Sequence, residues 1–195
     1  MRKDPYVTDI YNFLYGYHPV LFGSIEESGI WAILTQHSSI RKAIILKAKI
    51  KELLSPKILI EKNIIDAFPS VNQILHCSNE DLLSIIHNVK KVEYITNFVE
   101  TLNNAKENIY RFNHKELYDF LISIKGIGPW SAEFIILRGL GISQWVPLNE
   151  KANYEVFKRY YSSKVSFENV CKYYNDHKGD WIHYLRAYEY LKIKK

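Results

Sequence analysis

One stretch limits the architecture more than any other. Leu117, Phe120, Leu121 and Ile124 share one helical face, and Gly126-Ile127-Gly128-Pro129 follows at once. A largely apolar run of helix length comes next, from Trp130 to Gly141. Glycines adopt backbone angles that other residues avoid, so the chain can reverse tightly at this point. Pro129 suits the first position of a helix, where its missing N–H costs little. Ala132 is small enough to let two helices approach, and Phe134, Ile135, Ile136 and Leu137 make the second helix apolar on several sides. The segment predicts a helix, a hairpin turn and a helix over about residues 117–140.

The rest of the chain supports an all-α fold. Helical periodicity recurs from about Ser24 onward, and strands are scarce. Ser24 caps a helix with Ile25, Ile30, Ile33 and Leu34 inward. Residues 38–54 give a second helix with its basic residues outward, ended by Pro56. Pro69 is expected in the first turn of a third. Ser78 or Asn79 caps the next, and residues 89–105 form a longer amphipathic helix. Three more helices complete a count of about ten, over residues 149–161, 166–177 and 179–193. The first 23 residues are irregular or hold a short helix ending at Gly16. No repeat or low-complexity linker divides the 195 residues, so a single domain of two helical lobes with a cleft between them is expected.

Composition narrows the function classes. Net charge is +5, which favours a polyanionic partner. Fifteen tyrosines and four tryptophans offer faces for stacking on bases, though most of them serve a core equally well. Two distant cysteines, Cys77 and Cys171, argue against a disulfide scaffold, an iron–sulfur cluster or a cysteine zinc site; two buried thiols in a reducing compartment are expected. No uncharged stretch reaches the ~18 residues of a membrane span, and the N-terminus lacks the apolar core of a signal peptide. A cytoplasmic protein is expected, nucleoid-associated if prokaryotic, without a cofactor or a metal, monomeric and not membrane-bound.

The glycine turn itself has two readings. Unpaired amides at a helix N-terminus carry partial positive charge and form an anion site. A phosphate can approach a backbone that bears no side chains, a contact that positions a duplex without reading its sequence. The plainer reading is an ordinary tight connection between helices.

Here the sequence resembles a family. Residues 124–141, IKGIGPWSAEFIILRGLG, are similar to the helix-hairpin-helix element of the base-excision DNA glycosylases, whose pattern is apolar-x-Gly-apolar-Gly-x-x-x-Ala. They look most like the 3-methyladenine glycosylase II branch, whose Gly-Ile-Gly-x-Trp-Thr/Ser-Ala is matched by Gly126, Ile127, Gly128, Trp130, Ser131 and Ala132. SGIWAILTQHSSIRKA resembles that family's early helix and turn, and residues 67–102 resemble the segment before the hairpin. The three blocks occur in the family's order and cover roughly residues 18–159. The extra N-terminal β-rich domain of some relatives is not expected here.

The resemblance implies a monofunctional DNA glycosylase of base excision repair, with double-stranded DNA carrying damaged bases as its partner. It implies an acid that stabilises the oxocarbenium-like sugar and activates water. Counting from Gly128 without gaps places that acid at Glu150, where the family has aspartate. Asn149 fits if the register shifts by one, and Asn149 with Glu150 also reads as an ordinary helix start. The family's strand-cutting members carry a lysine at the position of Trp130; tryptophan forms no Schiff base. Trp130 is expected to stack on a cationic alkylated base or to pack the hairpin on the core, and the two are compatible. Gln36 and His37 are candidates to fill the gap left by an extruded nucleotide, or else they end a helix. Lys125, Gly126, Ile127, Gly128 and Ser131 are the phosphate-contacting set, with Arg138 and Lys151 nearby. A cation held by the hairpin carbonyls is a family trait that these residue types do not demand. The alternatives are a glycosylase for oxidised or deaminated bases, a DNA-binding module with weakened chemistry, and a helical scaffold that binds another protein.

Overall fold

The computed structural model describes residues 4–146, 151–161 and 164–193. Eleven α-helices occur among them. They are α1 (Pro5–Phe13), α2 (Ile25–Thr35), α3 (Ile40–Leu54), α4 (Val71–Leu75), α5 (Asn79–Ile86) and α6 (Val89–Ala105), then α7 (His114–Ser123), α8 (Pro129–Phe134), α9 (Lys151–Tyr160), α10 (Phe167–Tyr174) and α11 (Lys178–Ile193). Two strands lie between α3 and α4. They are β1 (Lys57–Ile60) and β2 (Asn63–Asp66), paired antiparallel with Ile58 opposite Ile65.

Most helices begin where a short polar side chain can bond the first free amides. Ser24, Ser39, Ser70, Ser78, Asn88, Asn113 and Ser166 each accept such a bond. At Ser70 and Asn113 the bond is reciprocated by Gln73 and Glu116. The Ser70 box moves the start of α4 to Val71, so Pro69 precedes the helix and does not sit in its first turn. At the N-terminus the first helix ends at Phe13, and Gly16 turns the chain beyond it with φ +81°.

The chain forms two compact units. Residues 22–140 make one, and residues 1–21 with 141–195 make the other. In the first, α2 is the axle. Ile30, Ala32, Ile33 and Leu34 are fully buried, and α3, α6, α8 and the turn after α8 all pack on it. The approach of α6 is close: a Cβ built on Gly29 would lie 2.0 Å from the Phe98 ring. α7, the glycine turn and α8 form the expected hairpin. Past Phe134 the helix widens to a π-helical turn over Ile135–Gly139, closed by Leu140 N–H donating to the Ile135 carbonyl at 3.1 Å. Such turns recur at functional sites. This one lays Gly139 against Ser28, where a Cβ would fall 2.1 Å from the Ser28 hydroxyl.

The second unit has an aromatic core. Phe157 stacks on Tyr161, Trp181 stacks on Tyr174, and Ile10, Leu14 and Leu185 fill in around them. The Asp4 carboxylate accepts hydrogen bonds from the phenols of Tyr161 (2.5 Å) and Tyr174 (2.7 Å). Burial, with that carboxylate adding to it, holds both phenols well above their ordinary range. Both cysteines are free thiols: Cys171 is buried and pushed up to about 11 by desolvation, whereas Cys77 is only half-buried, contrary to expectation.

Replacing Gly29 with alanine forces the Phe98 ring aside inside a filled core. The expected loss is about 2–3 kcal/mol, read as a lower denaturant midpoint with an unchanged slope. Retained stability would show that α2 and α6 are not in this close contact.

Candidate nucleic-acid interface

The hairpin turn is built from two glycines doing different work. Gly126 has φ +95°, in the left-handed region, and a Cβ there would lie 2.2 Å from the Tyr94 ring of α6. Gly126 therefore serves the fold. Gly128 has φ −93°, which any residue adopts, and a Cβ there would meet nothing within 4 Å. Packing leaves Gly128 unexplained; an approaching ligand would explain it. Gly128 is exposed and starts α8 with no side chain to cap the first-turn amides, and Pro129 takes the first helical position as expected. The Ile127 side chain is buried, and its amide donates to the Ile124 carbonyl at 3.0 Å. No side chain caps the first turn of α8, and the face of Gly128 is open toward solvent.

Facing this turn is the end of α2. Gln36 points its side-chain amide inward, donating to the Gly126 carbonyl (2.8 Å) and to the Ser131 hydroxyl (3.2 Å). Gln36 thus braces the hairpin, and Ser131, 3% exposed, is turned into that brace. His37 is exposed and left-handed, with φ +49°. Histidine is among the few side chains enriched in that conformation, and such strain gathers at functional sites.

Between the two turns lies a groove of about 640 Å³. Lys42, Lys90, Lys91 and His37 line it together with Gly126 and Gly128, and no acidic side chain does. Lys91 is 8% exposed. Its ammonium donates to the Leu34 carbonyl at 2.6 Å and to the Ser38 hydroxyl at 2.8 Å. Desolvation, aided by the neighbouring Lys42 charge, lowers its pKa. Lys125, at the rim, is paired with Glu93, so its charge reaches a phosphate only if that exposed pair opens; such pairs are weak.

Trp130 is half-buried and stacks on Phe134 with centroids 5.3 Å apart. The rings continue through Phe22, 5.7 Å from Phe134, to Trp31, 6.2 Å from Phe22. The Lys47 ammonium lies 5.0 Å from the Phe22 ring and pairs with Glu27 at 2.5 Å. Glu150 and Asn149 fall outside the described residues, and among those described no cluster of metal-ligating side chains occurs. No helix among the described residues is long and apolar enough to cross a membrane.

Sequence reasoning missed Lys91, Tyr94, Phe134 and Phe22 as site residues. Lys91 had a signal: it extends the buried α6 stripe of Ile95, Phe98 and Leu102 by one turn.

A glycine-paired turn between α7 and α8 in an otherwise helical chain is the arrangement of a helix-hairpin-helix fold. Comparison with known proteins agrees. The chain is 26% identical over 152 residues to a DNA-3-methyladenine glycosylase of Bacillus subtilis, a match covering 76% of this chain and 50% of that protein. It superposes on the 3-methyladenine DNA glycosylase of Archaeoglobus fulgidus with a TM-score of 0.79 at 25% identity, over 96% of this chain and 66% of that one. An 8-oxoguanine glycosylase/lyase of Clostridium acetobutylicum, solved with double-stranded DNA, shares the fold at TM-score 0.77 and 20% identity, over 98% of this chain and 68% of that one. No family model matches. In sequence and in fold the chain is thus similar to helix-hairpin-helix DNA glycosylases, those of the 3-methyladenine type among them. It spans about half the length of the curated Bacillus subtilis relative it matches.

The two glycines separate stability from binding. Gly126→Ala is expected to cost about 1–3 kcal/mol, because both its φ and the Tyr94 ring oppose a side chain. Gly128→Ala is expected to stay within about 0.5 kcal/mol of wild type yet weaken duplex affinity, measured by fluorescence anisotropy at fixed salt. Unchanged duplex affinity in Gly128→Ala would remove the backbone cradle from the interface.

Proposed function

We propose that the protein is a monofunctional DNA glycosylase that removes alkylated purines of the 3-methyladenine type from double-stranded DNA. The observation that carries this reading is the open face of Gly128 beside uncapped helix amides, across a basic groove from exposed His37. The amides hold the phosphate backbone and Lys42 and Lys90 add charge, a contact that is indifferent to sequence and sensitive to salt. His37 fills the stack after the damaged nucleotide swings out.

The chemistry then needs little. A purine methylated on a ring nitrogen is cationic and leaves readily. Trp130, backed by Phe134, offers it an indole face. As the bond from N9 to C1′ breaks, its electrons stay with the base and positive charge develops on the sugar. Glu150 stabilises that charge and accepts a proton from the water that attacks C1′. The products are a free base and an abasic site. Trp130 stands where a Schiff-base lysine would be needed, so the strand stays intact.

One specific feature favours a second reading, a DNA-binding module with weakened chemistry: glutamate stands where the family has aspartate. Duplexes that each carry one defined lesion, followed by heat or alkali cleavage of abasic sites, separate the two. The expected result is release of methylated purine, with no cleavage before heating. Glu150→Gln is expected to slow release by on the order of 100-fold or more with duplex affinity kept. Binding without release of any base would leave the module reading standing.

A further inference from the structure

One of the cations that line the groove, Lys91, is buried and turned inward. Lys91 enters from α6, and its ammonium lies beneath the turn that carries His37. At the end of α2 the last carbonyls have no helical partners of their own. Each is nevertheless satisfied. Thr35 donates its hydroxyl to the carbonyls of Trp31 and Ala32, at 3.0 and 2.9 Å. The Gln36 amide donates to Ile33, and the Ser38 amide to Thr35, each at 3.2 Å. The Leu34 carbonyl takes Lys91, and the same ammonium holds Ser38 one residue past His37. A positive charge at a helix C-terminus is favourable as well. Burying a lysine is costly, and a solvent-exposed polar turn could be closed by water instead. The position is well defined from the α6 side too, because the Asn88 side chain caps the Lys91 amide at 3.0 Å.

We infer that Lys91 is a positioning residue: it ties Ser38 to the end of α2 and so fixes His37 for insertion into the stack. This rests on the glycosylase reading above. Gln36 fixes one flank of His37 against the hairpin, and Lys91 fixes the other against α2 and α6. A left-handed residue held on both sides keeps its strain; released on one side, it relaxes. Lys91 touches neither substrate nor phosphate in this role.

The test compares Lys91→Met and Lys91→Arg with wild type in three measurements. Hydrogen exchange over residues 34–39 of the free protein reports the tether. Fluorescence of 2-aminopurine beside a 2′-fluorinated 7-methylguanine, which resists excision, reports insertion. Single-turnover excision and affinity for undamaged duplex separate rate from binding. In Lys91→Met, exchange is expected to accelerate by about tenfold and the fluorescence rise to shrink. Excision is expected to slow by about 10–100-fold, with duplex affinity within about threefold of wild type. Lys91→Arg is expected to recover most of each.

Wild-type exchange and fluorescence in a folded Lys91→Met would overturn the inference. So would duplex affinity falling in step with insertion, which marks a phosphate contact, or an arginine variant no better than methionine. If Lys91→Met does not fold, Ser38→Ala removes only the second tether, and absence of any change in its exchange and fluorescence is the overturning result. If wild type itself unstacks nothing, the glycosylase reading falls and takes the insertion role with it; exchange in the free protein still decides the tether.

Discussion

The half-buried end of α2 is the constraint on which the interface depends. A helix that stops inside a protein leaves carbonyls that must find donors, since an unsatisfied buried carbonyl costs about 1–3 kcal/mol. Here the donors come from three directions: Thr35 of the helix itself, the backbone of the following turn, and Lys91 of α6. Gln36, the next residue, sends its amide across to the hairpin. The two loops that face the groove are thereby held to each other by one side chain, Gln36. Neither loop could shift alone without breaking the hydrogen bond from Gln36 to the Gly126 carbonyl.

The same segment explains why α2 carries small residues. Gly29 admits the Phe98 ring, Ala32 is fully enclosed, and Ser28 lies where Gly139 crosses. Close approach of α2 to α6 and to the π-helical turn brings the donors within reach. Larger residues at these positions would push α6 and the hairpin outward, and the contacts of Lys91 and Gln36, at 2.6 and 2.8 Å, would open. Packing on one side of α2 and polar geometry at its end are therefore one requirement.

Much of this was legible in the sequence because it is local. Ser24 and Ser78 announce helix starts through capping chemistry that needs no tertiary partner. The hairpin was legible from Gly126, Gly128 and Pro129 for the same reason. The β1–β2 hairpin was not. Its strand residues, Lys-Ile-Leu-Ile and Asn-Ile-Ile-Asp, show no clean alternation, because Ile58, Leu59, Ile60, Ile64 and Ile65 are all exposed, and Glu61-Lys62 lacks the glycine that usually marks a two-residue turn. Gln36 was legible as a helix-end or gap-filling turn residue, but its inward direction depends on a partner 90 positions away. Lys91 was half legible: the stripe it extends is visible, while the carbonyl it serves is a tertiary fact.

The glutamate at position 150 is less damaging to the proposed chemistry than the same change would be elsewhere. Catalysis must supply whatever the leaving group does not. A neutral oxidised base leaves poorly, and the enzyme then depends on a well-placed carboxylate. A cationic methylated purine has already weakened its bond to the sugar, so an acid one methylene longer has less to supply. The aromatic series from Trp130 to Trp31 is consistent with that division, since stacking attracts a cationic ring more than a neutral one. Under the proposed function, the glutamate is tolerated and the tryptophan is favoured for the same reason: the substrate's own charge does part of the work.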